Sequence, residues 1–176
     1  MTLVSKSNIV LIGFMASGKT TVGALLSRSM GMPLVDTDAM IEEESGRTIK
    51  AIFAEDGEVR FREMEGALIA REARRRGVVL AVGGGAVLDP ANVAALESSG
   101  VIYLLEVESA EVVRRAGSDE GRPLLGGDSR GIESLMSARA QAYGEGADVV
   151  VDTNGRAPRE IEAQIASDFE SRRREG

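Results

Sequence analysis

A chain of 176 residues with neither histidine nor cysteine has no disulfide, no thiolate or imidazole metal site and no histidine-based acid–base chemistry, so carboxylates and arginines must carry its reaction. Its 21 lysines and arginines stand against 28 aspartates and glutamates, and the net charge of −7 argues against nucleic acid or an anionic membrane as the main partner. The length suits one domain over residues 1–176, able to bury about 70% of its unfolded surface without a staple.

The first apolar run, Ile9 to Ile12, reads as a buried strand. It gives way at once to Gly13-Phe14-Met15-Ala16-Ser17-Gly18-Lys19-Thr20, which fits G-x-x-x-x-G-K-[ST] and opens a helical pattern. A strand before and a helix after separate a phosphate-binding P-loop, residues 13–20, from a mere glycine-rich turn. Glycines let successive N–H groups turn inward toward a β-phosphate, and the helix opening at Lys19 adds its positive end. Lys19 would reach the β- and γ-phosphates and Thr20 would ligate Mg2+. The apolar run is too short for a signal-peptide core or a membrane span, so a cytoplasmic enzyme is the expectation.

Pro33 to Val35 reads as a second strand, followed by Asp36-Thr37-Asp38. In a parallel sheet that end lies on the same rim as the P-loop, so one carboxylate can hold the water shell of Mg2+ and the other a substrate hydroxyl. An aspartate there is equally a helix N-cap for a segment beginning near Ala39. Glu58 to Arg76 reads as one long helix with Phe61, Glu65, Leu68 and Glu72 stacked on it, and Arg62 and Glu65 share a face. As a surface ion pair they would be worth only about 0.3–0.5 kcal/mol.

The strand from Val78 to Val82 runs into Gly83-Gly84-Gly85 with no carboxylate at its end, so the metal's partner is sought at Asp36. The triple glycine either offers N–H groups to an anion or makes a tight turn. Asp89-Pro90 caps and opens the next helix, Val101 to Leu105 is a fourth strand, and a helix ends near Arg115. Gly117 to Gly131 holds five glycines in fifteen residues and reads as a mobile loop, either an arginine-bearing lid or a solvated connection. A helix from near Ile132, a strand from Val149 to Val151 and a terminal helix opened by Pro158, with Ile161, Ile165 and Phe169 inward, complete the chain before a charged tail. Five apolar runs alternating with helical segments predict an α/β fold, a parallel sheet covered on both faces. None of the three lysines sits in an Asn-Lys-x-Asp string, which disfavours guanine specificity.

In order and spacing these pieces resemble the shikimate kinase family over roughly Asn8 to Pro158. The likeness rests on the P-loop, Asp36-Thr37-Asp38, the run from Gly57-Glu58 through Phe61-Arg62 to Glu65, Val82-Gly83-Gly84-Gly85-Ala86-Val87, Gly121-Arg122-Pro123-Leu124-Leu125, Arg139 with Tyr143, and Asp152-Thr153-Asn154. The resemblance implies transfer of phosphate from ATP to the 3-hydroxyl of shikimate, on the route to chorismate and the aromatic amino acids. It implies a three-layer P-loop fold like that of the nucleoside monophosphate kinases, with a five-stranded parallel sheet, a substrate-binding helical region at about 37–65 and a mobile lid at about 117–131.

Laid on this sequence, the resemblance puts Ala16, Ser17, Gly18, Lys19, Thr20 and Thr21 on the phosphates of ATP. Thr20 meets Mg2+, the one cofactor implied, and Asp36 its outer shell. Asp38 hydrogen-bonds the attacking hydroxyl, while Arg62, Arg139 and the turn Gly83-Gly84-Gly85, through the backbone of Gly84, clamp the carboxylate and ring hydroxyls. Arg122 swings from the lid to the transferring phosphate, making Lys19, Asp38 and Arg122 the catalytic set, and Arg115 and Arg156 flank the adenine. A monomer meeting only these small molecules is expected. Two departures from the family pattern are Gly155, often basic there, and the acidic Ser118-Asp119-Glu120. Two rivals remain at this stage: a kinase of another polyol acid such as gluconate, and a nucleotide-binding regulator that transfers nothing.

Overall fold

All five apolar runs become strands, each within one residue of its expected ends. The computed structural model describes residues 6–116 and 129–175. Among them lie β1 (Asn8–Ile12), α1 (Lys19–Met30), β2 (Leu34–Asp36), α2 (Thr37–Ser45), α3 (Ile49–Glu55), α4 (Gly57–Glu72), β3 (Val79–Ala81), α5 (Pro90–Ser99), β4 (Gly100–Glu106), α6 (Ser109–Ala116), α7 (Ser129–Gly146), β5 (Val149–Asp152) and α8 (Pro158–Glu175). The strands form one parallel sheet in the order β2-β3-β1-β4-β5, with Val10 opposite Leu80 on one side and Ile102 on the other.

Alternate residues of the same strand feed two cores, which is why the runs had to be apolar throughout. Val10, Ile12, Leu80, Val82, Ile102 and Leu104 face Ile69 of α4, Leu96 of α5 and Ile132 and Tyr143 of α7. Ile9, Leu11, Val79, Val101, Tyr103 and Leu105 face Val22 and Leu26 of α1 and Ile161, Ile165 and Phe169 of α8. A satellite cluster of Ile41, Ile52, Phe61 and Leu68 binds α2, α3 and α4 together. The rim at the strand C-termini therefore receives the P-loop, α2 and the glycine turn at one place.

Two boundaries differ from expectation. The helix read as Glu58 to Arg76 ends at Glu72. Beyond it Arg74 and Arg75 bond back only three residues, to Arg71 and Glu72, and Gly77 turns left-handed at φ 71°. Asn8, fully buried at the start of β1, donates from Nδ2 to the Arg75 carbonyl at 2.7 Å and accepts from the Val78 N–H, so the sheet takes the backbone that the helix would have used. The second correction concerns α7, which starts at Ser129 and not near Ile132, so residues 129–131 of the expected lid are helical. The rest of that expected lid, residues 117–128, lies outside the described residues.

Candidate active site

The P-loop wraps the start of α1 as its pattern requires. Gly13 holds φ 146°, and a Cβ there would lie 2.6 Å from the Leu105 carbonyl oxygen, so no side chain fits. Gly18 caps α1 in the left-handed region. Ala16 is the one non-glycine with positive φ among the described residues, and its carbonyl accepts from Arg115 Nη1 at 3.0 Å. Ser17 is buried and its N–H donates to the Phe14 carbonyl. Lys19 Nζ curls over the loop to the Gly13 and Phe14 carbonyls at 2.8 and 2.9 Å. Thr21 sits exposed one residue beyond Thr20.

Asp36 is the N-cap that the sequence allowed, and its second oxygen turns to the P-loop. Its Oδ1 caps α2 by accepting from the Asp38 and Ala39 N–H groups, and its Oδ2 accepts from Thr20 Oγ1 at 2.7 Å. Thr20 and Asp36 thus present two hard oxygens on one edge of the P-loop. Such a pair fits Mg2+, which takes few protein ligands and keeps waters and phosphate oxygens around it. Among the described residues no group of three or more Asp or Glu side chains is placed to hold a metal by itself.

Beside the P-loop, three separate elements meet around Gly83-Gly84-Gly85. A Cβ on Gly83 would lie 2.5 Å from Glu65 Oε1 and 2.7 Å from Asp38 Oδ1, and one on Gly85 would overlap the Arg62 guanidinium. One on Gly84 would touch Arg139 Nη1, Tyr143 Oη and the Gly13 carbonyl oxygen, each at 3.5 Å. The three glycines are therefore the floor on which α2, α4 and α7 bring Asp38, Arg62, Glu65, Arg139 and Tyr143 together, next to the loop that holds Lys19. Arg62 and Arg139, 77 positions apart in the numbering of the chain, share this floor.

Charge within the site is tightly paired. Arg62 Nη1 donates to Glu65 Oε2 at 2.6 Å and Nη2 to the exposed Glu58 at 3.2 Å. Burial works against the Arg62 cation, and the Glu65 hydrogen bond and charge more than offset it. Burial pushes the Glu65 carboxyl above its ordinary value, Arg62 pulls it back and Asp38 adds repulsion, with the net shift upward. Glu65 Oε1 and Arg139 Nε are both buried without a hydrogen-bond partner among the described residues, so the site holds one acceptor and one donor in reserve.

Of the remaining expected residues, Arg115 joins P-loop to rim: Nη2 donates to the Thr153 carbonyl at 2.8 Å and Nε to Glu111. Arg156 lies farther along the same loop, its guanidinium on the Asp152 carbonyl and Gln164. Arg122 lies outside the described residues. Sequence reasoning missed two supports. The Phe14 ring lies under the Arg139 guanidinium at 5.9 Å, although P-loop spacing leaves that position free. The buried Thr37 accepts from the Gly83 N–H at 3.1 Å, tying the end of β2 to the turn, and a polar residue flanked by two aspartates was its only signal.

A P-loop on a parallel sheet, beside a floor of arginines and glycines, defines a P-loop small-molecule kinase with a nucleoside monophosphate kinase-like fold. The family model described as shikimate kinase matches residues 15–170, and the chain belongs to that family. It is 46% identical over 159 residues to the shikimate kinase of Moorella thermoacetica, covering 90% of this chain and 91% of that one. It is 43% identical over 160 residues to that of Mycobacterium tuberculosis, covering 90% of each. Among solved structures it superposes on the shikimate kinase of Acinetobacter baumannii in complex with shikimate, with a TM-score of 0.88 and 34% identity over 94% of this chain and 93% of that one. Among the described residues no helix is long and apolar enough to cross a membrane.

Proposed function

We propose that this chain transfers the γ-phosphate of ATP to the 3-hydroxyl of shikimate, giving shikimate 3-phosphate and ADP. One observation carries the reading: Asp38, Arg62 and Arg139 meet on a glycine turn that touches the P-loop at Gly13. Phosphoryl transfer asks for alignment and neutralisation more than covalent help. Ala16 to Thr21 cradle the phosphates, and Lys19 exchanges the Gly13 and Phe14 carbonyls for β- and γ-phosphate oxygens. Mg2+, when bound, neutralises charge on those oxygens. Thr20 would hold it and Asp36 would hold its water shell.

On the acceptor side Arg62 and Arg139 grip the carboxylate, with the glycine N–H groups, and Asp38 accepts the hydrogen bond of the attacking hydroxyl and takes its proton. Arg122 neutralises the transferring phosphate, and Arg115 and Arg156 flank the adenine. The enzyme acts as a single-domain monomer in the cytoplasm.

The test is ADP release by purified protein with ATP and Mg2+, comparing shikimate with gluconate. Turnover dependent on shikimate and absent with gluconate is expected, and no shikimate-dependent release would overturn the proposal. Asp38→Asn is expected to lower kcat by about 10²–10⁴-fold, the usual worth of a positioned acid–base group. Arg62→Ala should act mainly on KM for shikimate, and unchanged kinetics in either variant would remove the assigned role.

A further inference from the structure

Every backbone group of the glycine turn except two has a partner within the protein. The Gly83 N–H donates to Thr37 Oγ1, the Gly83 carbonyl accepts from the Ala86 N–H, and the Gly85 carbonyl accepts from the Leu88 N–H. The Gly84 carbonyl accepts twice, from Arg139 Nη1 at 3.2 Å and from Tyr143 Oη at 2.5 Å. The N–H groups of Gly84 and Gly85 have no partner among the described residues, so they are the donors that the turn keeps for a ligand.

The Gly84 carbonyl and the Gly85 N–H belong to one trans peptide plane and point from opposite edges of it. Whatever fixes the carbonyl therefore aims the N–H. Glycine has no side chain to hold that plane, and two hydroxyl and guanidinium donors from α7 do so instead. Arg139 and Tyr143 stand one helical turn apart, on the same face of α7, and converge on the same oxygen. The two are not equivalent. Arg139 is a cation that a bound carboxylate will draw away from the glycine, whereas Tyr143 is neutral, buried, and has its phenol pKa raised by burial, so its proton stays in place.

We propose that Tyr143 is a positioning residue for the acceptor's carboxylate: its hydroxyl holds the Gly84–Gly85 peptide so that the Gly85 N–H faces the acid, and it keeps that peptide fixed when Arg139 turns to the substrate. The inference rests on the shikimate-phosphorylating reading above. It assigns Tyr143 no contact with the reacting atoms and no part in ATP binding.

The test is Tyr143→Phe, which keeps the ring in the core and removes only the hydroxyl. Calorimetric Kd values for shikimate and for the analogue with hydrogen in place of the carboxyl group are measured on wild type and variant, with KM for ATP and kcat alongside. The expected result is a shikimate Kd raised about three- to tenfold, the worth of one hydrogen bond, with the Kd of the carboxyl-free analogue and the ATP KM unchanged. In the amide spectrum of the variant the Gly84 and Gly85 resonances shift while those of α8 stay, which shows the protein folded and the change local. An unchanged shikimate Kd, or an equal loss for shikimate and the carboxyl-free analogue, would overturn the role. Wild-type protein that fails to phosphorylate shikimate would refute the acceptor assignment instead, so the two failures are told apart.

Discussion

Glu65 shows how one residue can serve the site at a cost to itself. A buried carboxylate is expensive unless paired, and here Arg62 satisfies Oε2 while Oε1 lies toward Asp38 with no donor among the described residues. The folded-state pKa consequently lies above the ordinary 4.5. A raised carboxyl means that the folded protein binds the proton more readily than the unfolded chain, so this group's contribution to stability falls as pH rises through the window above 4.5. Function runs the other way, because acidification neutralises Glu65 and frees Arg62 from its anchor. The expected outcome is an acid limb in kcat/KM for shikimate with its midpoint above 4.5, which Glu65→Gln removes while raising shikimate KM at neutral pH and sparing ATP KM. A pH–rate series on both proteins checks it, and a limb that survives in the variant would belong to another group.

At the scale of elements, legibility in the sequence follows from whether the deciding contacts are local. The strands were legible because a sheet buried on both faces needs unbroken apolar runs, and α5 and α8 because Pro90 and Pro158 mark their first turns. The end of α4 was not, since Asn8 settles it from 67 residues away. Nor was the start of α7: Gly131 costs a helix about 1 kcal/mol relative to alanine, and the burial of Ile132 against the sheet overrides it. The same divide runs through the site. Lys19, Thr20 and Asp36 stand in spaced motifs whose chemistry is local, whereas Phe14 and Thr37 acquire their tasks only when α7 and β3 arrive beside them. The triple glycine was ambiguous alone because its use depends on what crowds it. Gly85→Ala puts a methyl where the Arg62 guanidinium lies, so the arginine must leave the floor. Losing one charge-assisted contact predicts a shikimate Kd raised about tenfold or more, with ATP affinity retained, by calorimetry with each ligand. Equal binding of shikimate would mean that Arg62 reaches the acid from elsewhere.

Across the whole molecule, the acceptor floor and the bulk of the second core are carried by different layers. Asp38, Arg62, Glu65, Arg139 and Tyr143 come from α2, α4 and α7, whereas α8 lies on the other face, where Phe169 is fully buried with Leu26 of α1 and Leu105 of β4. Asp168 beside it accepts from Tyr103 Oη and Arg172 Nε, fixing the helix to the sheet. Phe169→Ala should therefore cost about 3–5 kcal/mol of stability through lost burial and the cavity left behind. At this chain length each kcal/mol lowers Tm by about 2–4 °C, so a fall of roughly 6–20 °C is expected in a thermal melt. Well below the transition, shikimate Kd should match wild type, since no residue of the floor touches the emptied space. A variant whose shikimate affinity fell along with its Tm would show that the sheet transmits packing from one face to the other, and that the two layers cannot be treated as separable.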